Sequence, residues 1–174
     1  MLKRILLILL LTYFGGSLTA QNGEQEANLK AAFIYNFTKY VDWQTNKYDN
    51  IFVIGVIGDA SIIPPLKEIA RSNTVNNKRI VVRVFKRPAE ITDCNILFIP
   101  RNTPYSLQSI LRNVGKGVLT ISEHPGYAEE GTGFNFVILN NKLKFEANVN
   151  ALNASGVKAG SQLLKLAIIV DKNL

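Results

Sequence analysis

Apolar residues along the chain change their spacing several times, and each change marks an element. Across residues 27–43, ANLKAAFIYNFTKYVDW, Leu29, Phe33, Phe37 and Tyr40 recur at helical spacing, and Tyr35 and Trp43 widen the apolar face. Recurrence every three or four residues places side chains on one side of a helix, so this stretch predicts a helix with an aromatic stripe toward the core. IFVIGVIG (51–58) is instead an unbroken apolar run between turn residues, the pattern of a strand buried on both faces. In SIIPPLKEIARS, Pro64 and Pro65 fit a first helical turn, where no intrahelical donor is lost, which sets a helix start near residue 63. RIVVRVF (79–85) alternates Arg79, Val81, Arg83 and Phe85 with Ile80, Val82 and Val84, predicting a half-exposed strand near a sheet edge. CNILFIP (94–100) reads as a central strand stopped by Pro100. In TPYSLQSILRNVG, Thr103 as N-cap, Pro104 at the first helical position and Gly115 past the end predict a helix, and GVLTISE (117–123) predicts another strand.

After a glycine-rich loop the period becomes two. FNFVIL and KLKFEAN flank Asn140-Asn141, a pair that tolerates the positive φ angles of a tight hairpin turn. Phe134, Phe136 and Ile138 on one arm and Leu143, Phe145 and Ala147 on the other would form its buried face. VKAGSQLLKLAIIVD (157–171), apolar nearly all round in its second half, predicts a packed closing helix. Strands alternating with helices imply parallel pairing through right-handed crossovers. The expected fold is α/β, a three-layer Rossmann-like sandwich with a mostly parallel sheet and an antiparallel C-terminal hairpin.

Export is the next inference. Lys3 and Arg4 precede an apolar run from Ile5 to Leu11, and Leu18-Thr19-Ala20 ends on a small residue. A basic start, a short apolar core and a small residue at the cut describe a secretory leader, here residues 1–20. The run is shorter than the roughly 20 apolar residues a membrane span needs. Residues 21–174 then form one domain, long enough to bury a core. Taking Lys3 and Arg4 from the 20 basic side chains leaves 18 against 13 acidic, so the net charge falls from +7 to +5. The bases are scattered, with Lys78-Arg79, Lys86-Arg87 and Lys142/Lys144 far apart in sequence. Scattered charge describes a solvated surface, and nucleic acid is not an expected partner. Cys94 is the one cysteine, so no intramolecular disulfide can form. At the head of an apolar run it reads as a buried, inert thiol.

Motifs for chemistry are sparse. GVIGDAS (55–61) lacks the spacing of a dinucleotide fingerprint, and two prolines occupy the helix start where a phosphate would dock. Neither a phosphate-binding P-loop nor a G-x-S-x-G elbow is present, and a single histidine rules out a multi-histidine metal site. TISEHPGYAEEGTGFNF (120–136) holds that histidine, His124, with Glu123, Glu129 and Glu130 nearby. Such a set can ligate a metal or pair a base with a carboxylate. Pro125-Gly126 and Gly131-Thr132-Gly133 are turn chemistry, however, and no activated nucleophile is adjacent. The stretch reads first as a connection, at the strand end where open α/β sheets bind ligands. No catalytic residue, cofactor or metal is assigned.

Four segments resemble the YfiR-like (YfiR/HmsC) family: KAAFIYNFTKYVDW (30–43), CNILFIP (94–100), VLTISEHPGYAEEGTGFNFV (118–137) and KFEANVNALNASGVKAGSQLLKLA (144–167). The resemblance spans about Ala27 to Asp171 and rests on the order and spacing of the four. It implies a non-enzymatic periplasmic protein that binds the periplasmic domain of an inner-membrane sensor, a diguanylate cyclase or a sensor kinase, and represses it. Cyclic-di-GMP signalling, and with it biofilm formation, would be restrained. Cys94 matches a family cysteine, but the final loop and hairpin hold none with which a regulatory disulfide could form. A regulator without chemistry works by binding one receptor state more tightly than another. Aromatic side chains that the core does not require are the candidate contacts: Tyr35, Tyr40 and Tyr127, with His124 in the loop. Self-association as a homodimer stays open, and the alternative function is a periplasmic module that senses a small molecule.

Overall fold

The computed structural model describes residues 17–43 and 50–170, with side chains from Gly23 onward in the first helix. The basic start and apolar run of the expected leader lie outside the described residues. Helix α1 (Ser17–Phe37) leads into strand β1 (Val41–Trp43). Then follow β2 (Ile51–Ile57), α2 (Ile63–Ser72), β3 (Thr74–Val75), β4 (Lys78–Phe85), a 3-10 turn (Pro88–Glu90), β5 (Ile96–Ile99), α3 (Leu107–Leu111) and β6 (Leu119–Ser122). The chain continues through β7 (Phe134–Leu139), β8 (Lys142–Ala147), α4 (Val149–Ser155), β9 (Val157–Ala159), α5 (Ser161–Leu164) and β10 (Ile168–Ile169).

Eight strands form one sheet in the order β10-β8-β7-β6-β5-β2-β4-β3, while β1 and β9 pair separately and antiparallel. The expected mostly parallel sheet is corrected to a mixed one. Parallel ladders join β2 to β4 and β5, β5 to β6, β6 to β7, and β10 to β8; β3–β4 and β7–β8 are antiparallel. Both antiparallel pairs are hairpins on adjacent asparagines at positive φ. Asn140 and Asn141 (51° and 57°) turn the hairpin expected from sequence, and Asn76 and Asn77 (49° and 64°) turn one that the arginine alternation concealed.

Alternation along β2 and β5 sends Phe52, Ile54, Val56, Ile96 and Phe98 into one core, and Val53, Ile57, Leu97 and Ile99 into another on the opposite face. The first core is closed by residues of α1, α2, α4 and α5. The second is closed by Leu107 and Ile110 of the five-residue α3 together with loop residues such as Tyr105 and Tyr127. That face carries one short helix and loops, not a full helical layer.

Three helices differ from their expected extent. The aromatic stripe of α1 meets the core through Phe33, Tyr35 and Phe37, but Leu29 and Tyr40 fall off the buried face. Its buried line is Ala27, Lys30, Ala31, Ile34 and Phe37, whereas Leu29 is 46% exposed. The helix stops at Phe37, where the Thr38 hydroxyl donates to the Tyr35 carbonyl at 2.6 Å, and Val41–Trp43 goes into a strand facing β9. The closing helix is likewise divided. Gly156, at φ 77°, ends α4, Val157–Ala159 pairs with β1, and only Ser161–Leu164 is helical before β10. Tertiary pairing of β-branched and aromatic residues outweighs local helical periodicity in both places. In α3 the cap is Ser106, whose hydroxyl accepts from the Ser109 amide at 3.3 Å, so the helix starts later than Thr103.

Gly55 is the tightest point of the central strand. A Cβ there would lie 2.7 Å from a Phe85 ring carbon, 3.3 Å from Leu97 Cδ1 and 3.4 Å from Cys94 Sγ. Gly55→Ala is therefore expected to lower stability by about 1–3 kcal/mol through overpacking. Urea unfolding should show a lower midpoint at an unchanged slope.

Candidate functional site

The strand order reverses between β4-β2 and β2-β5-β6: the chain leaves β2 for one neighbour and then returns to build on the other side. Crossovers leaving in opposite directions open a crevice at the carboxyl ends of the two strands, and open α/β sheets bind ligands there. A cavity of about 280 Å³ occupies this position. Ala60, Ser61 and Ile62 follow β2, Phe98, Arg101 and Asn102 come from the end of β5, Glu123 follows β6, and Glu26 and Lys30 reach in from α1.

Charge is concentrated in this crevice. Lys30, 7% exposed, donates from Nζ to a carboxylate oxygen of Glu26 one helical turn earlier and to one of Glu123 across the crevice. The other Glu123 oxygen accepts from the Arg101 amide at 3.1 Å, and Arg101 Nε donates to the Glu123 carbonyl at 3.2 Å. A buried ammonium is tolerated only with such compensation. The network ties α1 to the ends of β5 and β6. Beneath it, the buried Ser122 hydroxyl lies 2.9 Å from the Thr132 hydroxyl and donates to Asn135 Oδ1 at 2.7 Å. Ser122 thus fastens the two ends of the following loop and is not aimed at solvent.

That loop contains the histidine motif and joins two parallel neighbours, β6 and β7. Parallel strands cannot be joined by a tight hairpin, so the chain must cross over. It does so in a compact series of turns, with the amides of Tyr127, Glu130 and Thr132 donating to the carbonyls of His124, Gly126 and Tyr127. Gly126 and Gly131 take positive φ of 84° and 119°, where a side chain would be strained. Asn148 Nδ2 donates to the Ala128 carbonyl at 2.8 Å, while Asn148 Oδ1 caps α4 by accepting from the Ala151 amide. A Cβ at Gly133 would fall 2.8 Å from Leu152 Cδ2 and 3.3 Å from the Thr120 carbonyl oxygen, so a side chain there would force Leu152 to shift.

Of the four residues singled out from sequence, His124 and Tyr127 meet, and Tyr35 and Tyr40 lie elsewhere. His124 stacks on Tyr127, with centroids 4.3 Å apart and planes at 25°, and its Nδ1 lies 3.0 Å from the Pro125 carbonyl. Tyr127 also packs against the second core. Tyr35 belongs to the opposite face: it packs on the first core, its hydroxyl donates to the Thr74 carbonyl at 3.4 Å, and Lys39 lies 5.0 Å above its ring. Tyr40, 46% exposed, rims a separate groove beside β8. Glu129 and Glu130 are exposed, and Glu130 accepts from Gln108 at 3.3 Å. Among the described residues no group of three or more His, Cys, Asp and Glu side chains is gathered as a metal-ligand set.

Sequence reasoning missed Lys30, Glu26 and Arg101. Only the i, i+4 spacing of Glu26 and Lys30 was a usable signal. A lysine on a buried helical face and an arginine after a strand become one site only through the sheet order.

The chain is an α/β scaffold with a charged crevice at its strand ends, in which Lys30, Glu26 and Glu123 compensate one another. Residues 27–168 match the family described as YfiR/HmsC-like, and the chain belongs to that family. Its theme is regulatory: periplasmic proteins that act in cyclic-di-GMP signalling and interact with a membrane sensor. No helix among the described residues is long and apolar enough to cross a membrane.

The ion network yields a direct prediction. Lys30→Met leaves the Glu123 carboxylate, 17% exposed, without its cation, and a cost of about 2 kcal/mol is expected. Glu123→Gln should cost a similar amount, and the double variant less than the sum by about 1 kcal/mol or more. Additive losses in chemical denaturation would show that the two side chains do not interact.

Proposed function

We propose that this protein is a periplasmic regulator that binds the periplasmic domain of a membrane signalling receptor, a diguanylate cyclase or a sensor kinase, and represses its output. The leader at residues 1–20 directs export, and residues 21–174 act as one domain. The observation that carries this reading is the family match over residues 27–168. The physics is consistent with it. A protein that performs no chemistry shifts a receptor only through unequal affinity for its two states, and a tenfold preference corresponds to about 1.4 kcal/mol.

The contact centre we assign is the His124–Tyr127 stack, a rigid aromatic pair on a crossover held by buried hydrogen bonds. Tyr35 and Tyr40 are assigned as outlying contacts. His124 is the informative position to mutate, because truncating Tyr127 would also remove packing from the second core. Crosslinking of the protein to the membrane fraction of its native cells, read by mass spectrometry, should enrich a sensor with a periplasmic domain. Adding the purified protein should then lower that sensor's cyclase or kinase output. His124→Ala is expected to weaken binding by about 1–2 kcal/mol with the melting temperature nearly unchanged. A captured sensor whose output ignores the protein would defeat the reading.

A second reading is favoured by the crevice cavity and its charges: a small-molecule sensor, alone or tuning partner affinity. A ligand at 100 times its Kd should stabilise the fold by about 2.7 kcal/mol. A screen of polar metabolites that leaves the melting temperature unmoved would count against it.

A further inference from the structure

The sheet ends unevenly beyond β2. On its outer side β4 pairs with β3, but that ladder stops at Arg79, and the rest of β4, up to Phe85, has no neighbouring strand there. The Arg79 amide donates to the Asn50 carbonyl, and the Phe85 carbonyl accepts from the Gly58 amide, so the odd-numbered residues of β4 bond toward the β2 side. Backbone groups alternate in direction along a strand, which turns the N–H and C=O of Val82 and Val84 outward. Among the described residues neither has a partner on that side.

Two rows of side chains flank this edge. Ile80 and Val82 pack on the first core, while Val84, on the same face, is 45% exposed. Arg79 and Arg83 share the other face with Phe85, which is buried in the second core. A groove of about 550 Å³ lies beside the edge at the C-terminal end of α2, and its charged lining residues, Lys67, Arg71 and Arg79, are all cationic. Arg71 is held by Glu68 at 2.8 Å, and Arg83 donates to the Asp93 carbonyl at 3.4 Å. Lys67 and Arg79 are exposed and form no ion pair among the described residues.

These features select the occupant. An open strand edge is completed by another extended backbone, which neither an acyl chain nor a compact metabolite supplies. A second copy of this chain is disfavoured, because pairing the same edge with itself would bring the arginines of both copies together across the ladder. The complement has apolar side chains over Val82 and Val84 and acidic ones over Arg79 and Arg83. We propose that the Val82–Val84 edge of β4 binds an extended acidic segment of a partner protein by strand addition. Strands β2 and β5 separate this edge from β6 and the His124 crossover, so the surface is distinct from the His124–Tyr127 stack and does not depend on the receptor-binding reading.

The probe is a blocked peptide of alternating glutamate and valine. Titrated into the intact protein, it should saturate at one peptide per chain. The amide hydrogens of Val82 and Val84 should exchange at least about tenfold more slowly in the complex. The matching lysine–valine peptide should bind roughly tenfold more weakly or worse, as like charges face each other across the ladder. Val84→Pro removes an outward N–H and leaves the β2 ladder intact, a substitution that edge strands accept. It should keep the circular dichroism spectrum and weaken the acidic peptide by roughly tenfold. The double substitution Lys67→Glu and Arg79→Glu, at exposed positions, tests the same edge without a proline and should reverse the preference between the two peptides. Absence of saturation overturns the proposal. So does saturation with unslowed exchange at Val82 and Val84, which would reduce the contact to charge alone. A dimer of the free protein that Val84→Pro dissociates would also overturn it, assigning the edge to a second copy.

Discussion

The ring of Phe37 is the point on which the rest of the arrangement rests. It meets Phe134, Phe136 and Phe145 of the β7–β8 hairpin at 4.9, 6.0 and 4.9 Å between centroids, while Phe33 approaches Phe136 and Phe145 from one turn earlier. Each such pair adds about 0.5–1.5 kcal/mol beyond the area it buries. The cluster presses α1 onto the antiparallel side of the sheet. With α1 held there, Lys30 lies over the strand ends and Tyr40 at the start of the β1–β9 pair. A helix that would be marginal alone is thereby fixed in position and rotation.

Two consequences for function follow from that docking. At the carboxyl ends, Lys30 closes a charge network with Glu26, Glu123 and the backbone of Arg101, so the crevice is polar yet internally balanced. At the other end of α1, the same packing leaves an apolar groove bordered by Lys39 and Lys144. The crossover carrying His124 is held separately, by Ser122, Thr132, Asn135 and Asn148. A firmly held surface loop loses little entropy when a partner covers it, which is what a regulator that acts by binding requires.

Much of this was legible residue by residue. The apolar runs at 51–57 and 96–99 are strands buried on both faces, Asn140-Asn141 turns a hairpin, and the prolines at 64 and 65 open a helix. These features depend on local sterics and on burial of both faces, which a short stretch specifies by itself. The family could be read too, because it resides in the order and spacing of segments. The hairpin's alternation held only at its base: Phe134, Phe136, Phe145 and Ala147 are buried, but Ile138 is 51% exposed because the tip extends beyond its cover. Periodicity gives the phase of a strand without the length over which something covers it.

The tertiary structure decided what depends on partners distant in the chain. Residues 41–43 and 157–159 become strands because they pair with each other, although each continues a helical pattern in isolation. The buried line of α1 passes through Lys30 instead of Leu29 because Glu123, 93 residues away, supplies a counter-charge at the end of β6. A lysine can be inside only where such a partner is brought to it, and an isolated segment has no means of specifying that. The sequence by itself thus determined the central strands, the Asn140-Asn141 hairpin and the family. Sheet order and helix docking determined which charges share a crevice and which apolar residues remain uncovered, since both depend on contacts between segments that local pattern does not encode.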